Sequence, residues 1–187
     1  SNGRARLGVG IGSNKDQYAA LGQDYHTRGA RCDEQLLLLK SLLSQEKVSF
    51  SGRWDTVEDS GISPKPIQSN IPIWYGGAST PGERVINRIA RHADGWFVLC
   101  NPEDYDAIRK NIDEAAVKAQ RDPNSIQTEA GVAVVGPRET EWQSRVTNWE
   151  NMGLDYICLR TLGGELTPQQ HLDKLAKVVP EAINLIE

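Results

Sequence analysis

Two glycine-containing segments carry the strongest chemical signal in this sequence of 187 residues. In Gly76-Gly77-Ala78-Ser79-Thr80-Pro81, the paired glycines let backbone approach a ligand, while the next helix presents free N–H groups and the positive end of its dipole. That arrangement suits a phosphate. A tight βα turn with a routine helix cap is the alternative reading of the same residues. The second segment, Gly10-Ile11-Gly12-Ser13, ends an apolar strand. There the alternative is a Gly-rich strand end that touches no ligand.

Histidine is the usual general base, and three are present. His92 lies in Arg88-Ile89-Ala90-Arg91-His92-Ala93 near a helix C-terminus, where a cation is favourable, so its role is read as structural. His171 follows a helix N-terminus on an exposed face. His26, in Asp24-Tyr25-His26-Thr27-Arg28 before a long helix, is the one to test for substrate contact. Arg28 and Arg31, near Asp33 and Glu34, read as surface ion pairs of little energetic weight rather than an anion clamp. Arg160 and Thr161, at the end of the last strand, could reach a phosphate in the manner of late-strand barrel loops. No residue can be assigned as the catalytic acid or base.

No His or Cys cluster has metal-ligand spacing, so no metal site is expected. Cys32, Cys100 and Cys158 are far apart, odd in number and form no Cys-x-x-Cys pair, which reads as reduced thiols in a cytoplasm. With 39% hydrophobic and 25% charged residues, the chain reads as one soluble domain over residues 1–187. A net charge of −4 without long like-charge blocks argues against nucleic acid. No apolar run approaches the roughly 18 residues of a membrane span, and the N-terminus lacks the basic-then-apolar pattern of a signal peptide.

The elements that must position these residues alternate. Gly3 to Ile11 reads as a buried strand, and Thr27 to Ser44 is too long and Leu-rich to be anything but helix. Val48-Ser49-Phe50 and Arg53 to Val57 flank Ser51-Gly52, the expected two-residue turn of a hairpin. Ile71 to Tyr75, Gly95 to Leu99, Glu129 to Val135 and Tyr156 to Leu159 read as short buried parallel strands. Three helix starts share one grammar, a capping residue followed by Pro at the first helical position: Thr80-Pro81-Gly82-Glu83, Asn101-Pro102-Glu103-Asp104 and Thr167-Pro168-Gln169-Gln170. An eight-unit barrel takes about 250 residues, roughly 31 per unit, so this length with a hairpin insertion suits about five β/α units. Periodicity alone also allows an open doubly wound sheet, but no Gly-x-Gly-x-x-Gly follows a strand.

Gly3-Arg4-Ala5-Arg6-Leu7-Gly8-Val9-Gly10-Ile11-Gly12, read with Ile71-Pro72-Ile73-Trp74-Tyr75-Gly76-Gly77 and Ala93-Asp94-Gly95-Trp96, resembles the luciferase-like flavin- and deazaflavin-dependent oxidoreductases nearly end to end. The resemblance implies an α/β chain forming part of a (β/α)8 TIM barrel, family strands 4 to 8. In such relatives the Gly-Gly-x-Ser segment sits beside the flavin and its helix start helps hold the cofactor phosphate. It therefore implies cofactor contacts at Gly76, Gly77, Ser79 and Thr80, and at Gly10, Gly12 and Ser13 on the first strand's end. Relatives often carry an aromatic or acidic residue after the second glycine of that strand end, and Ser13 departs from both. Asp94-Gly95-Trp96 matches a family signature and reads as architecture, a turn into a strand and a core-filling ring.

The implied cofactor is FMN or coenzyme F-420, with the overall pattern closest to deazaflavin users. The implied activity is hydride transfer, or oxygen insertion with reduced FMN, on a small organic substrate. Two strand edges would lie open in such a partial barrel, which predicts a homo-oligomer or an N-terminal segment covering them. The alternative function is a truncated noncatalytic remnant that binds flavin weakly or not at all and is stabilised by oligomerisation.

Overall fold

The computed structural model describes residues 1–68 and 70–186. Five strands form one parallel sheet: β1 (Leu7–Val9), β4 (Ile73–Gly76), β5 (Gly95–Val98), β6 (Gln127–Ala133) and β7 (Tyr156–Arg160), hydrogen-bonded in that spatial order. Between β1 and β4 lie α1 (Lys15–Ala20), α2 (Arg28–Ser44) and an antiparallel hairpin of β2 (Val48–Ser51) and β3 (Thr56–Ser60). The remaining helices are α3 (Glu83–His92), α4 (Pro102–Lys118), α5 (Trp142–Asn151) and α6 (Pro168–Ile186). The expected α/β architecture of about five parallel units with a hairpin insertion is what forms, as an open sheet rather than a closed barrel.

Strand periodicity sorts the side chains onto two faces. Register pairs Tyr75 with Trp96 and Trp96 with Thr128, and this row faces the helices. There Trp96, 1% exposed, lies parallel to the Tyr105 ring of α4 at 5.9 Å, and Tyr105 meets Trp149 of α5 edge-on at 5.8 Å. Ile89 and Ala90 of α3, Ile112 of α4, Val146 of α5 and Val178 of α6 complete the same core. Trp96 thus fills a core as its signature suggested.

The opposite row, Trp74, Phe97, Glu129 and Tyr156, lies on the face that a closed barrel would enclose. Arg6 sits 4.6 Å over the Trp74 ring and 5.5 Å from the Tyr156 ring and pairs with Glu129. Trp74 and Tyr156 lie near the starts of their strands, and Phe97 and Glu129 lie further along theirs, Phe97 in register with Gly76.

Two aspartates perform one job in parallel at these strand starts. Asp94, immediately before β5, accepts from the N–H of Ile73 at 2.9 Å; Asp155, immediately before β7, accepts from the N–H of Thr128 at 2.7 Å. Each ties its own strand's entry to its neighbour. A Cβ at Gly95 would collide with the Trp74 ring, so this turn requires glycine for close approach.

Several local expectations shift. The hairpin turn spans Gly52–Asp55, closed by the Gly52 N–H on the Asp55 carbonyl at 2.9 Å, so the strands end one residue later and begin three residues later than a Ser51-Gly52 turn requires. The cause is remote: the Glu34 carboxylate on α2 accepts from the backbone N–H groups of Arg53 at 2.7 Å, Trp54 at 2.9 Å and Asp55 at 3.1 Å. In position the cap grammar holds at Asn101, with Pro102 opening α4, but the Asn101 side chain makes no capping hydrogen bond and its backbone carbonyl takes the Asp104 N–H at 3.1 Å instead. At α6 it is reciprocal: the Gln170 N–H reaches the Thr167 hydroxyl at 3.4 Å, and the Thr167 N–H donates to the Gln170 side chain at 2.8 Å. At Thr80 it fails. Pro81 is buried and Gly82, in extended backbone, becomes the cap of a helix that begins only at Glu83. Seating the proline ring displaces the helix start beyond reach of the Thr80 hydroxyl.

Candidate functional site at the carboxyl ends of the strands

Because the strands are parallel, their following loops gather at one end of the sheet. Pairing of Val9 with Tyr75 sets Gly10 directly beside Gly76. A Cβ at Gly10 would lie 3.9 Å from the Gly76 carbonyl oxygen, and one at Gly76 would lie 3.9 Å from the Val9 carbonyl oxygen. Here the wall of the mouth is bare backbone, open to a ligand on its free side. Gly77 packs closely on α3, with a Cβ there falling 3.1 Å from a Val85 methyl.

The loop after β1 is shaped by Gly12, which the sequence singled out, and by Tyr18 and Asn14, which it did not. Gly12 takes φ of +67°, the left-handed region that favours glycine. Tyr18 of α1 donates its hydroxyl to the Ile11 carbonyl, and Asn14 caps α1 by accepting from the Asp16 N–H at 2.9 Å. No local signal exposes Tyr18, because α1 is one short turn-and-a-half whose periodicity is too brief to read. Ser13, Ser79 and Thr80 stand exposed on the two loops. Among the described residues no side chain caps α3; the Val85 and Ile86 N–H groups donate to the Gly82 carbonyl, so the N–H groups of Glu83 and Arg84 and the positive dipole end are what the helix start offers an anion beside the Gly76-Gly77 wall. Bare glycine backbone and an uncapped helix start fit a phosphate-bearing planar cofactor.

At the other side of the mouth the loops after β6 and β7 touch. A Cβ at Gly136 would lie 3.6 Å from the Gly163 carbonyl oxygen. The two residues expected to reach a phosphate there are engaged elsewhere. The Arg160 guanidinium lies across Gly131 and donates to its carbonyl at 3.2 Å, and the Thr161 hydroxyl is 2.7 Å from Nδ1 of His171. His171 is therefore half-buried against Thr161 rather than on a free helix face.

His92 also departs from expectation. It ends α3, but burial pushes its imidazole below the ordinary value; Asp33 opposes this, while Lys40, Arg88 and Arg91 add to it. Desolvation and the local cations thus outweigh Asp33, and the imidazole's charged form is disfavoured at this helix end. Nor do Arg28 and Arg31 pair with the neighbouring acids. Asp33 turns to Arg88 of α3 and Glu34 to the hairpin, leaving Arg28 stacked 3.6 Å from the Tyr25 ring centroid and Arg31 bonded to the Gln23 side chain. His26 is exposed, its ring edge-on to Tyr25 at 5.7 Å.

All three cysteines are free thiols. Among the described residues no group of three or more His, Cys, Asp or Glu could hold a metal ion, and no helix is long and apolar enough to cross a membrane.

A five-stranded parallel β/α sheet with its loops gathered at the carboxyl ends is the architecture of a partial (β/α)8 barrel. The chain belongs to the luciferase-like monooxygenase family, whose profile matches residues 1–179. An uncharacterized protein of Mycobacterium tuberculosis strain H37Rv is 34% identical over 65% of this chain and 43% of its own length. The FMNH2-dependent dimethylsulfone monooxygenase of Pseudomonas putida is 26% identical over 78% of this chain and 39% of its own. In structure, a coenzyme F-420-dependent secondary alcohol dehydrogenase, in complex with an F-420–acetone adduct, superimposes with a TM-score of 0.62 at 18% identity, over 80% of this chain and 46% of that one. The chain thus spans less than half the length of these curated relatives.

Proposed function

We propose that this chain is the cofactor-holding part of a flavin- or deazaflavin-dependent oxidoreductase acting on a small organic substrate. The observation that carries the reading is the juxtaposition of Gly10 and Gly76 on paired strand ends, followed by a helix start that no side chain caps. Gly76, Gly77, Ser79 and Thr80 would hold the cofactor phosphate, and Gly10, Gly12 and Ser13 would border its ring system. FMN and coenzyme F-420 both carry a phosphate and a planar tricycle, and the FMNH2-dependent and F-420-dependent neighbours support either. When bound, the cofactor supplies hydride transfer or, as reduced FMN, oxygen insertion. The protein's share is to orient it, exclude water and present backbone donors to its anionic group. The three free thiols favour a reducing cytoplasm.

The test is single-turnover oxidation of the reduced cofactor by small carbonyl compounds, or by dioxygen with an organic acceptor, with and without the chain. Acceleration over free cofactor supports the reading; identical rates overturn it. A second reading, a noncatalytic scaffold that binds flavin weakly or not at all, draws on the unpaired outer edges of β1 and β7. The open edges equally support a covering partner, either a second copy or an N-terminal segment.

A further inference from the structure

A second cleft lies between the start of α2 and the length of α3, reaching Ile11 at the end of β1. It encloses about 570 Å³, within the range of small-molecule sites, and is lined by Arg28, Arg84, Arg88, Arg91, His26 and His92 with a single carboxylate, Asp33. Four guanidinium groups against one carboxylate is a concentration of positive charge in a chain whose net charge is −4.

The lone acid does not relieve that charge, because it is committed. Asp33 binds Arg88 through both oxygens, and Arg88 reaches the Tyr75 hydroxyl at 3.4 Å. The pair forms a rigid floor. Gly29 permits it: a Cβ there would lie 2.6 Å from the Arg88 Nη2. Above the floor, Arg28, Arg84 and Arg91 have no carboxylate within salt-bridge distance among the described residues. The Arg28 Nε is buried and has no hydrogen-bond partner, although its Nη1 donates to the Tyr25 carbonyl at 2.7 Å.

The spacing is informative. Arg84, Arg88 and Arg91 follow the i, i+4, i+7 rhythm that places them along one face of α3, and Arg84 and Arg91 are about 10 Å apart along the axis. A ligand with two anionic groups engages both ends more readily than one with a single group. Guanidinium forks match phosphoryl and carboxylate oxygens two at a time, and a concave wall focuses their field. We propose that the α2–α3 cleft binds a small polyanion with at least two phosphoryl or carboxylate groups, held by Arg28, Arg84 and Arg91 over the Asp33–Arg88 floor. This site is independent of the redox reading, and its test needs neither cofactor nor turnover.

The experiment is calorimetric titration of the intact chain with inorganic pyrophosphate, citrate and orthophosphate at fixed pH and about 0.15 M salt, where long-range surface attraction is screened. The expected result is one-to-one binding of pyrophosphate or citrate, with orthophosphate at least about tenfold weaker. Pyrophosphate preferred over citrate assigns a phosphorylated ligand, and the reverse order a polycarboxylate. Arg84→Gln/Arg91→Gln, at exposed positions, should weaken binding by about tenfold or more, as should Arg28→Gln alone. Lys110→Gln/Lys118→Gln on α4 makes the same change in net charge and should leave affinity unchanged. Absence of saturable binding, or equal loss in the α3 and α4 double variants, overturns the proposal.

Discussion

Asp33 on α2 grips Arg88 on α3 from two sides, Nε on Oδ1 and Nη2 on Oδ2 at 3.1 Å, and so joins two helices that are distant in sequence. The Arg88 side chain is 6% exposed and that of Asp33 39%. Breaking a buried pair costs about 3–5 kcal/mol, because the surviving charge is left without its partner. Water at Asp33 lowers the expected loss for Asp33→Asn to about 2 kcal/mol, since the Tyr75 hydroxyl alone cannot neutralise the guanidinium. Urea unfolding checks this, and an unchanged midpoint would show that Arg88 does not depend on Asp33.

Glu34 gives a pH signature. Burial pushes its carboxyl up, but the backbone N–H groups of Trp54, Arg53 and Asp55, with the Arg53 charge, outweigh that and hold it below the ordinary value. A carboxyl depressed in the folded state contributes stability that is complete above its unfolded value of about 4.3 and is lost as pH falls through the folded value. Glu34→Gln should therefore melt earlier than the parent at pH 7, with the gap closing in acid. Thermal melts between pH 7 and pH 3 check it; a gap constant with pH would contradict the assignment.

These two acids also show what could be read without coordinates. The strand and helix order was legible because it rests on local pattern: short apolar runs, Leu-rich periodicity in α2, and Asn-Pro and Thr-Pro at two helix starts. What was not legible depended on remote partners. Nothing near Asp33 announces Arg88, so Arg28 and Arg31 looked like its natural companions. Nothing near Ser51-Gly52 announces that Glu34 gathers three N–H groups from a longer turn. Helix α5, polar and without a proline start, carries no cap signal. The candidate mouth was legible as glycine positions, but the contact between Gly10 and Gly76 follows from the register of β1 on β4.

Gly76 separates a ligand effect from a folding effect. A methyl there would sit 3.7 Å from the Phe97 ring and 3.9 Å from the Val9 carbonyl oxygen, ordinary contacts that the fold accommodates. Gly76→Ala should keep its melting temperature within about 2 °C, a small shift in keeping with surface-like substitutions, while weakening FMN or coenzyme F-420 by about tenfold or more. Equal affinity for parent and variant would remove this strand end from the site.

Among the described residues no strand pairs with the outer edges of β1 and β7, and Leu7 and Tyr156 beside them are 38% and 45% exposed. Beyond β7, a groove of about 360 Å³ is lined by Leu175, Val179 and Ile183 of α6. Open edges with apolar flanks favour association. Sedimentation of the isolated chain should show a dimer or larger species, and a stable compact monomer would contradict the edge argument.

The glycine mouth is proposed to hold a phosphate-bearing flavin or deazaflavin. Fluorescence titration of the chain with FMN and, separately, with coenzyme F-420 is the decisive measurement. Saturable one-to-one binding of either cofactor is the predicted result, and whichever binds identifies the redox partner. A folded chain that binds neither would contradict the account and leave the noncatalytic scaffold as its better description.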